Sequence, residues 1–538
     1  MRIDCLKILD FRNLRDFRID FDETRFSTVL IGENGTGKSN LLEAIVLIFR
    51  DLDLGQLPPF GYEITYRCRG RRVQVEAERG RRQIVKVGDQ GVEETLTWSR
   101  FEERKEELLP RYVFAYYSGP SGRLRSYFEQ HQKRFYDALL KDDTGKAPPI
   151  RRLFYCLPEH SRWVLLAYFL RGEEPPDFVK EHFGIDGFDS ALLVLKRPSW
   201  ANNWTAKRPP PKRIAELGDA RFWWSRGVVK TFLQRLWDQA LAPMYVTEDH
   251  QEDYRTRPVQ EERLYLYLKD LASLQRLNSA YPDEAAFFAA LESTEISNLI
   301  RDVRVRVRRR GESIVFSELS EGEQQLLTVI GLMQFTRHEE SLFLLDEPDT
   351  HLNPMWKLRY LRELTRQVGL PDAADDGALA PQSQPDQSSQ LLMTTHDPLT
   401  IAGLRAPQVQ IFERREISTV AHQPQEDPRG MGVAGVLIHM FGLPTTLDPQ
   451  TQDKIDERNG LARLVTRTRE QEDRLSILAK ELSELGLAYE ARDPDYRRYL
   501  EARHRWEKTR GIPIASLPME EQERVVDEIL DELLGRLS

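Results

Sequence analysis

LIGENGTGKSNLL, Leu30 to Leu42, holds the spacing Gly32-x-x-x-x-Gly37-Lys38-Ser39. Glycines at those positions let the backbone close tightly, so that successive N–H groups converge on one anion. Lys38 adds a point charge for the β- and γ-phosphates of a nucleotide, and Ser39 supplies a hydroxyl for Mg²⁺. Asn34, Gly35, Thr36 and Asn40 complete the candidate nucleotide-binding stretch. The apolar run before it, Phe26 to Ile31, reads as a buried strand, and Leu41 to Phe49 reads as a helix. A strand–loop–helix of this kind opens an α/β nucleotide-binding core.

The 538 residues suggest roughly three domain-sized units. Charged residues make up 30% and hydrophobic ones 40%, an ordinary profile for a soluble chain. The net charge of −9 excludes a globally basic nucleic-acid binder, so any such surface has to be local. The opening MRIDCLKILDFRN lacks the apolar core of a signal peptide. Apolar runs such as Trp163 to Leu170 are too short to span a bilayer, so no membrane partner is expected. Cys5, Cys68 and Cys156 are isolated, which argues against a zinc hook or a disulfide framework and for a reduced, cytoplasmic setting.

Outward from the loop, LKILDFRN and FRIDF alternate like strands. Residues 62 to 99 are short alternating segments split by Gly and Arg, an antiparallel meander by pattern. YVFAYYSGPSGR, Tyr112 to Arg123, is an apolar strand running into a turn that either reaches the nucleotide or merely reverses the chain. Residues 126–300 read as a mainly helical insertion, with helices expected over Arg162–Leu170, Val228–Leu241 and Glu261–Leu277. Trp200, Trp204, Trp223, Trp224 and Trp237 fall in this block and read as packed core rather than base-stacking platforms. RDVRVRVRRR, Arg301 to Arg310, alternates Val with Arg and turns at Gly311, so it reads as a hairpin with one basic face. Arg304, Arg306 and Arg308 on that face are candidate DNA contacts; a solvated face answered by acidic neighbours is the equal alternative. Residues 370–390 form a low-complexity loop. The tail, 421–538, reads as helical, ending in an acidic amphipathic helix, Met519 to Leu537.

Three further motifs follow the loop in order. Leu319-Ser320-Glu321-Gly322-Glu323-Gln324-Gln325 opens a helix whose N–H groups and dipole favour an anion. Ser341 to Pro348, SLFLLDEP, is a buried strand ending in two carboxylates. Asp346 at its tip can hold Mg²⁺ through water, and Glu347 can take a proton from an attacking water. LLMTTHD, Leu391 to Asp397, is another apolar strand ending in His396, which can touch the γ-phosphate.

Together, the P-loop, LSEGEQQ, FLLDEPDTHLNP and TTHD resemble the ABC-class ATPases, in particular their RecF, SMC and OLD-like branch. The resemblance covers residues 1 to about 50 and 300 to about 415. It implies an α/β ABC-type head with an antiparallel β lobe: residues 1–125 as its N-terminal half and 301–420 as its C-terminal half. It also implies ATP and Mg²⁺ as ligands, with Arg12 near the phosphates. Two heads would pack head to tail as a homodimer or higher oligomer. Ser320, Gly322 and Glu323 would then complete the partner's site, with Lys38, Glu347 and His396 carrying hydrolysis. The tail from Asp427 to Asn459, with DPDYRRYLEARHRW after it, is similar to ATPases of anti-phage islands (Septu PtuA-like and restriction-associated), which work with a separately encoded nuclease. A RecF-like repair ATPase that binds DNA directly is the alternative. An intrinsic nuclease is not expected: Asp493-Pro-Asp495 follows no strand, and Arg498 with His504 is a spacing common on charged helices.

Overall fold

The computed structural model describes residues 1–22, 25–89, 92–119, 122–141, 150–172, 174–204, 208–251, 255, 257–336, 340–367, 389–415, 418–464 and 466–485. Beyond those it describes 502, 503, 506, 510, 524–526 and 529. These fall into two compact units, 1–436 and 437–538. The low-complexity stretch up to 388, Asp493, Asp495, Arg498, His504 and most of Met519–Leu537 lie outside the described residues.

The first unit is built on a seven-stranded sheet. Its order is Ser418–His422, Val409–Arg415, Ser27–Gly32, Gln390–Thr394, Ser341–Asp346, Tyr112–Tyr117 and Leu153–Tyr155. All neighbours are parallel except the first pair. The central strands are fully buried and apolar between their polar ends, as a parallel sheet covered on both faces requires. The strand before the P-loop and the strand before Glu347 are not neighbours; the strand before His396 lies between them. In register, Thr394 stands opposite both Leu30 and Asp346. The motif residues therefore gather outside the carboxyl ends of three adjacent strands.

The P-loop helix, Lys38–Leu54, is buried on nearly every side; Leu41, Leu42, Ile45, Ile48 and Phe49 are all at or near zero exposure. Buried residues lie on every side of this helix, so it is covered all round. The mixed sheet covers it on one side. A six-stranded antiparallel sheet, running from Leu14–Asp20 through Arg2–Phe11 to Val92–Leu96, shares the same core. Phe49 meets Tyr66 of that sheet edge-on, with ring centres 5.4 Å apart. The helix stops at Gly55, whose left-handed backbone (φ +68°) lets its N–H bond the Asp51 carbonyl. Truncating Ile45 to Ala would cost about 2–5 kcal/mol, because its surroundings cannot collapse into the gap.

Residues 126–300 hold more helix than strand, but they also supply most of a third sheet that the sequence reading did not contain. Met244–His250, Val259–Leu268, Ile185–Lys196, Ile300–Arg309 and Glu312–Val315 form one five-stranded antiparallel sheet. Glu261–Leu277, expected as a helix, is the end of a strand followed by the short helix Leu271–Gln275. The reason is periodicity. Leu264, Leu266 and Leu268 are buried while Tyr267 is exposed, which is an alternation of two and not of 3.6. The helices at His160–Arg171 and Gly227–Gln239 do form. Trp223 is buried, and Trp200, Trp204 and Trp224 meet ring to ring at 5.6 and 6.3 Å, so these indoles pack on one another.

In the second unit, helices Pro449–Ala462 and Arg469–Glu484 pack together and are tied by Arg474–Glu457 (2.7 Å) and Lys454–Glu481 (2.8 Å). Ala502, Val525 and Ile529 form a small core of their own. Among the described residues, no helix is long and apolar enough to cross a membrane.

Candidate nucleotide site

The loop between Gly32 and Lys38 takes the shape that its glycines allow. Gly32 has φ +137°, and a Cβ there would lie 2.3 Å from the Phe412 carbonyl oxygen of the adjoining strand. Any side chain at this position would drive the two strands apart. Asn34 and Gly35 are exposed at the tip, while Thr36 and Gly37 are buried. Thr36 donates its hydroxyl to the Glu33 carbonyl (2.8 Å), and its own carbonyl accepts from Thr419 (2.9 Å).

Lys38 is 5% exposed and donates to the carbonyls of Gly32 (2.8 Å) and Glu33 (2.9 Å). Its ammonium bridges the loop from within. Burial pulls its pKa down to about 8, with Glu347 and Asp346 opposing. A phosphate would restore the charge that burial disfavours.

Ser39, next along the helix, donates to Asp346 Oδ1 at 3.0 Å, joining the loop to a strand more than 300 residues away in sequence. Thr394 donates to the same oxygen at 2.5 Å and accepts the Glu347 N–H at 3.0 Å. One hydroxyl thus fixes the Asp346 carboxylate and the Glu347 backbone. The second oxygen of Asp346 is buried without a hydrogen-bond partner, and burial raises the carboxyl's pKa. A buried, unpaired carboxylate oxygen beside a serine hydroxyl is a donor set that suits a hard divalent cation. No group of three or more His, Cys, Asp or Glu among the described residues offers a metal cage. Mg²⁺ held here would complete its shell with water and phosphate oxygens.

Glu347 is held at φ +51°, a left-handed conformation that costs a non-glycine residue about 1–3 kcal/mol. The turn aims its carboxylate at His396, with Oε1 3.3 Å from Nε2. Burial and the Lys38 charge lower the His396 pKa and so favour the uncharged ring. Asp349, one residue beyond Pro348, accepts from Thr395 and Thr400 and fixes the start of the next turn.

Arg12 reaches Asn40 (3.2 Å) and Glu43 (2.6 Å) on the P-loop helix, and Tyr127 (3.0 Å). Glu43 has zero exposure and is also held by Arg123 and by the Tyr127 hydroxyl. Two arginines around one buried carboxylate leave a net positive edge beside the loop. Arg123 and Tyr127 were not picked out by motif, although Arg123 ends the stretch flagged as able to reach the nucleotide. Asn13 was also missed; it donates to the Gly35 carbonyl (2.9 Å) and accepts from Asn40 (2.5 Å). No motif signals Asn13 or Tyr127, because their role depends on which strand lies beside the loop. Thr394 lies inside a quoted motif, but only the sheet order lets it hold the Asp346 carboxylate and the Glu347 backbone.

Ser320 caps the helix Glu321–Phe335. Its N–H and hydroxyl both donate to the Glu323 carboxylate, at 2.8 and 3.1 Å, and Glu323 also takes Arg309 at 2.8 Å. Gly322 is buried, and a Cβ there would lie 2.6 Å from the His351 carbonyl oxygen. Its first role in this chain is thus close packing on the turn after Asp349. Among the described residues, no hydrogen bond or ion pair joins residues 319–325 to residues 32–40.

The basic hairpin forms as Ile300–Arg309 and Glu312–Val315, with Val303, Val305 and Val307 inside. Arg304, Arg306 and Arg308 are exposed. Arg304 pairs with Asp302 at 2.8 Å and Arg306 lies 3.9 Å from Asp189, so acidic neighbours answer part of this face.

Comparison with known families agrees with this geometry. Residues 1–95 match a family described as "AAA ATPase domain", and residues 196–402 one described as "AAA domain, putative AbiEii toxin, Type IV TA system". These are AAA-class ATPase domains. The first holds the P-loop; the second holds Ser320, Asp346, Glu347 and His396. The DNA replication and repair protein RecF of Oenococcus oeni is 46% identical over 48 residues, which is 9% of this chain and 12% of that protein. Solved structures similar to this chain include an SMC head bound to the C-winged helix domain of ScpA (11% identity, TM-score 0.32, 79% of this chain and 98% of that one). The SMC head domain of Thermotoga maritima is another (13%, 0.31, 79% and 99%).

Proposed function

We propose that this chain is an ATP hydrolase whose site is completed by a second copy of itself, and that it serves as the ATPase subunit of a bacterial anti-phage system, controlling a separately encoded nuclease. The observation that carries the first part is the division of the motifs. Ser39, Asp346, Thr394, Glu347 and His396 form one connected network. The Ser320 helix end is exposed and has no bond to that network among the described residues. A partner's Ser320 helix, presented to the P-loop, would supply the missing N–H groups.

Ser39 and Asp346 would hold Mg²⁺, which when bound neutralises charge on the phosphate oxygens. Lys38 exchanges its loop carbonyls for the β- and γ-phosphates. Glu347 takes the proton of the attacking water. His396, its Nε2 3.3 Å from Glu347 Oε1, steadies that carboxylate and reaches for the γ-phosphate. Positioning and electrostatics supply most of the acceleration in phosphoryl transfer.

Mixing tests the shared site. Lys38→Ala and Ser320→Arg proteins should each be inactive. An equimolar mixture should regain hydrolysis, because one of the two sites in a hybrid dimer is intact. Absence of recovery would refute it.

The defence role is supported by the tail's similarity to anti-phage ATPases and by the toxin named in the description of the family matched at 196–402. Affinity purification from phage-infected cells should bring down a nuclease in fixed ratio. The second reading, a RecF-like ATPase acting on DNA, is favoured by the RecF match and the exposed arginine face. Replacing Arg304, Arg306 and Arg308 by Gln should then weaken DNA binding and flatten its salt dependence; unchanged binding would reject it.

A further inference from the structure

A second basic recess lies at the far end of the P-loop helix. It has a volume of about 290 Å³, at the small end of ligand pockets (about 300–1,000 Å³). Asp53, in the last turn of that helix, forms one side. The helix Trp98–Leu108 contributes Lys105 and Glu106, the helix Glu129–Lys141 contributes His131, Arg134 and Phe135, and the segment entering strand Leu153–Tyr155 contributes Ile150, Arg151 and Arg152.

Six basic side chains, with Arg111 the sixth, face two carboxylates, and both carboxylates are already shared. Asp53 accepts from His131 Nε2 (2.8 Å) and Arg152 Nε (2.9 Å). Glu106 accepts from Arg152 (2.6 Å) and lies 3.6 Å from Arg111. Burial alone would raise the Asp53 carboxyl, but the His131 hydrogen bond and the Arg152 charge hold it down to about 2, so its charge is spent inside this cluster.

What remains are polar atoms without partners. Arg151, 9% exposed, pairs with Glu292 behind the recess and lies over Phe135 and Phe154, yet its Nε–H has no partner. His131, 5% exposed, has no partner for Nδ1. A buried polar group left unmet costs about 1–3 kcal/mol, and both residues are among those that line the basic cavity. Arg134 is exposed at the rim with no ion pair among the described residues.

We propose that this recess binds a small phosphate monoester, no larger than a nucleoside monophosphate. Several cationic donors converging from three elements suit a dianion with three acceptor oxygens, and Arg is matched to phosphate by its planar fork. Phe135 and Ile150 give the organic part an apolar wall. The site is wired to the nucleotide loop twice. The helix Lys38–Leu54 spans the roughly 25 Å between them. The helix Glu129–Lys141 follows directly on the turn that carries Tyr127, which holds Glu43 and Arg12.

The test is calorimetric titration of the full chain carrying Lys38→Ala, which removes the P-loop as a competing phosphate site. The probes are inorganic phosphate, ribose 5-phosphate and AMP. One monoester should bind one molecule per chain, and Arg134→Glu should weaken it at least tenfold. Arg151→Lys, which keeps the charge facing Glu292 but removes Nε–H, should do the same. Binding of AMP without ribose 5-phosphate would extend the recognised part to the base. The proposal falls if neither monoester binds in the low millimolar range, if only inorganic phosphate binds, or if both variants bind within twofold of their parent.

Discussion

Two helix N-termini are the candidate phosphate sites, and they differ in what already occupies them. The P-loop helix begins after Gly37 at φ +106°, with no side-chain cap and no acidic residue in its first turn. The helix after Ser320 begins with a capping box and has Glu321 and Glu323 in its first turn. Both ends carry the same partial charge of about +0.5. The first leaves that charge open to an external anion, with Lys38 buried beside it. The second neutralises it with its own carboxylate, which also binds Arg309. A capped end is stable without nucleotide. To meet a phosphate it must exchange Glu323 for the new anion, and that exchange releases Arg309 on the basic strand.

The comparison breaks most visibly at the open end. Lys38→Ala should lose at least a hundredfold in ATP affinity, read with a fluorescent ATP analogue; retention of tight binding would mean that the loop N–H groups suffice. Glu347→Gln should leave binding within about twofold but lower kcat by about 10²–10⁴, the range for loss of a general base, measured by phosphate release. Unchanged turnover would remove Glu347 from the mechanism.

The pH dependence also separates the two ends. With Lys38 near pKa 8 in the free chain, bound phosphate raises that value, so binding takes up a proton once pH exceeds about 8. Affinity should be flat below pH 8 and weaken above it, by up to about tenfold per pH unit, until the pKa of the bound state is passed. Titrations at pH 7, 8 and 9 in buffers of different ionisation enthalpy check the sign. Smallest of all, Ser320→Ala should cost about 1 kcal/mol of stability through the lost cap, read from the urea midpoint of the first unit. Replacing Gly37, which contributes no side-chain cap, has no such capping term.

Much of this site was legible because its parts are local. Gly32 to Ser39 is a continuous backbone shape, and Asp346, Glu347 and His396 stand at the ends of runs apolar enough to read as buried strands. The residues that were missed act at a distance. Thr394 holds Asp346 and Glu347 only because its strand lies between the other two. Asn13 and Arg123 reach Asn40 from another sheet and from another loop. The helical reading of Glu261–Leu277 failed for a different reason: its apolar residues are dense enough to resemble a helix face, and the alternation of two was overlooked.

The chemistry was therefore set by the sequence: which groups can bind phosphate, hold a cation and move a proton, and in what order they occur. Tertiary structure decided which of them meet. A strand end fixes only where a side chain starts, whereas hydrogen bonds such as Ser39 to Asp346 depend on strand order, register and what lies across the cleft. The same holds for the recess around Arg151. Its lining residues, from Asp53 to Arg152, are scattered over about a hundred positions and form one site only after three helices and a strand have packed.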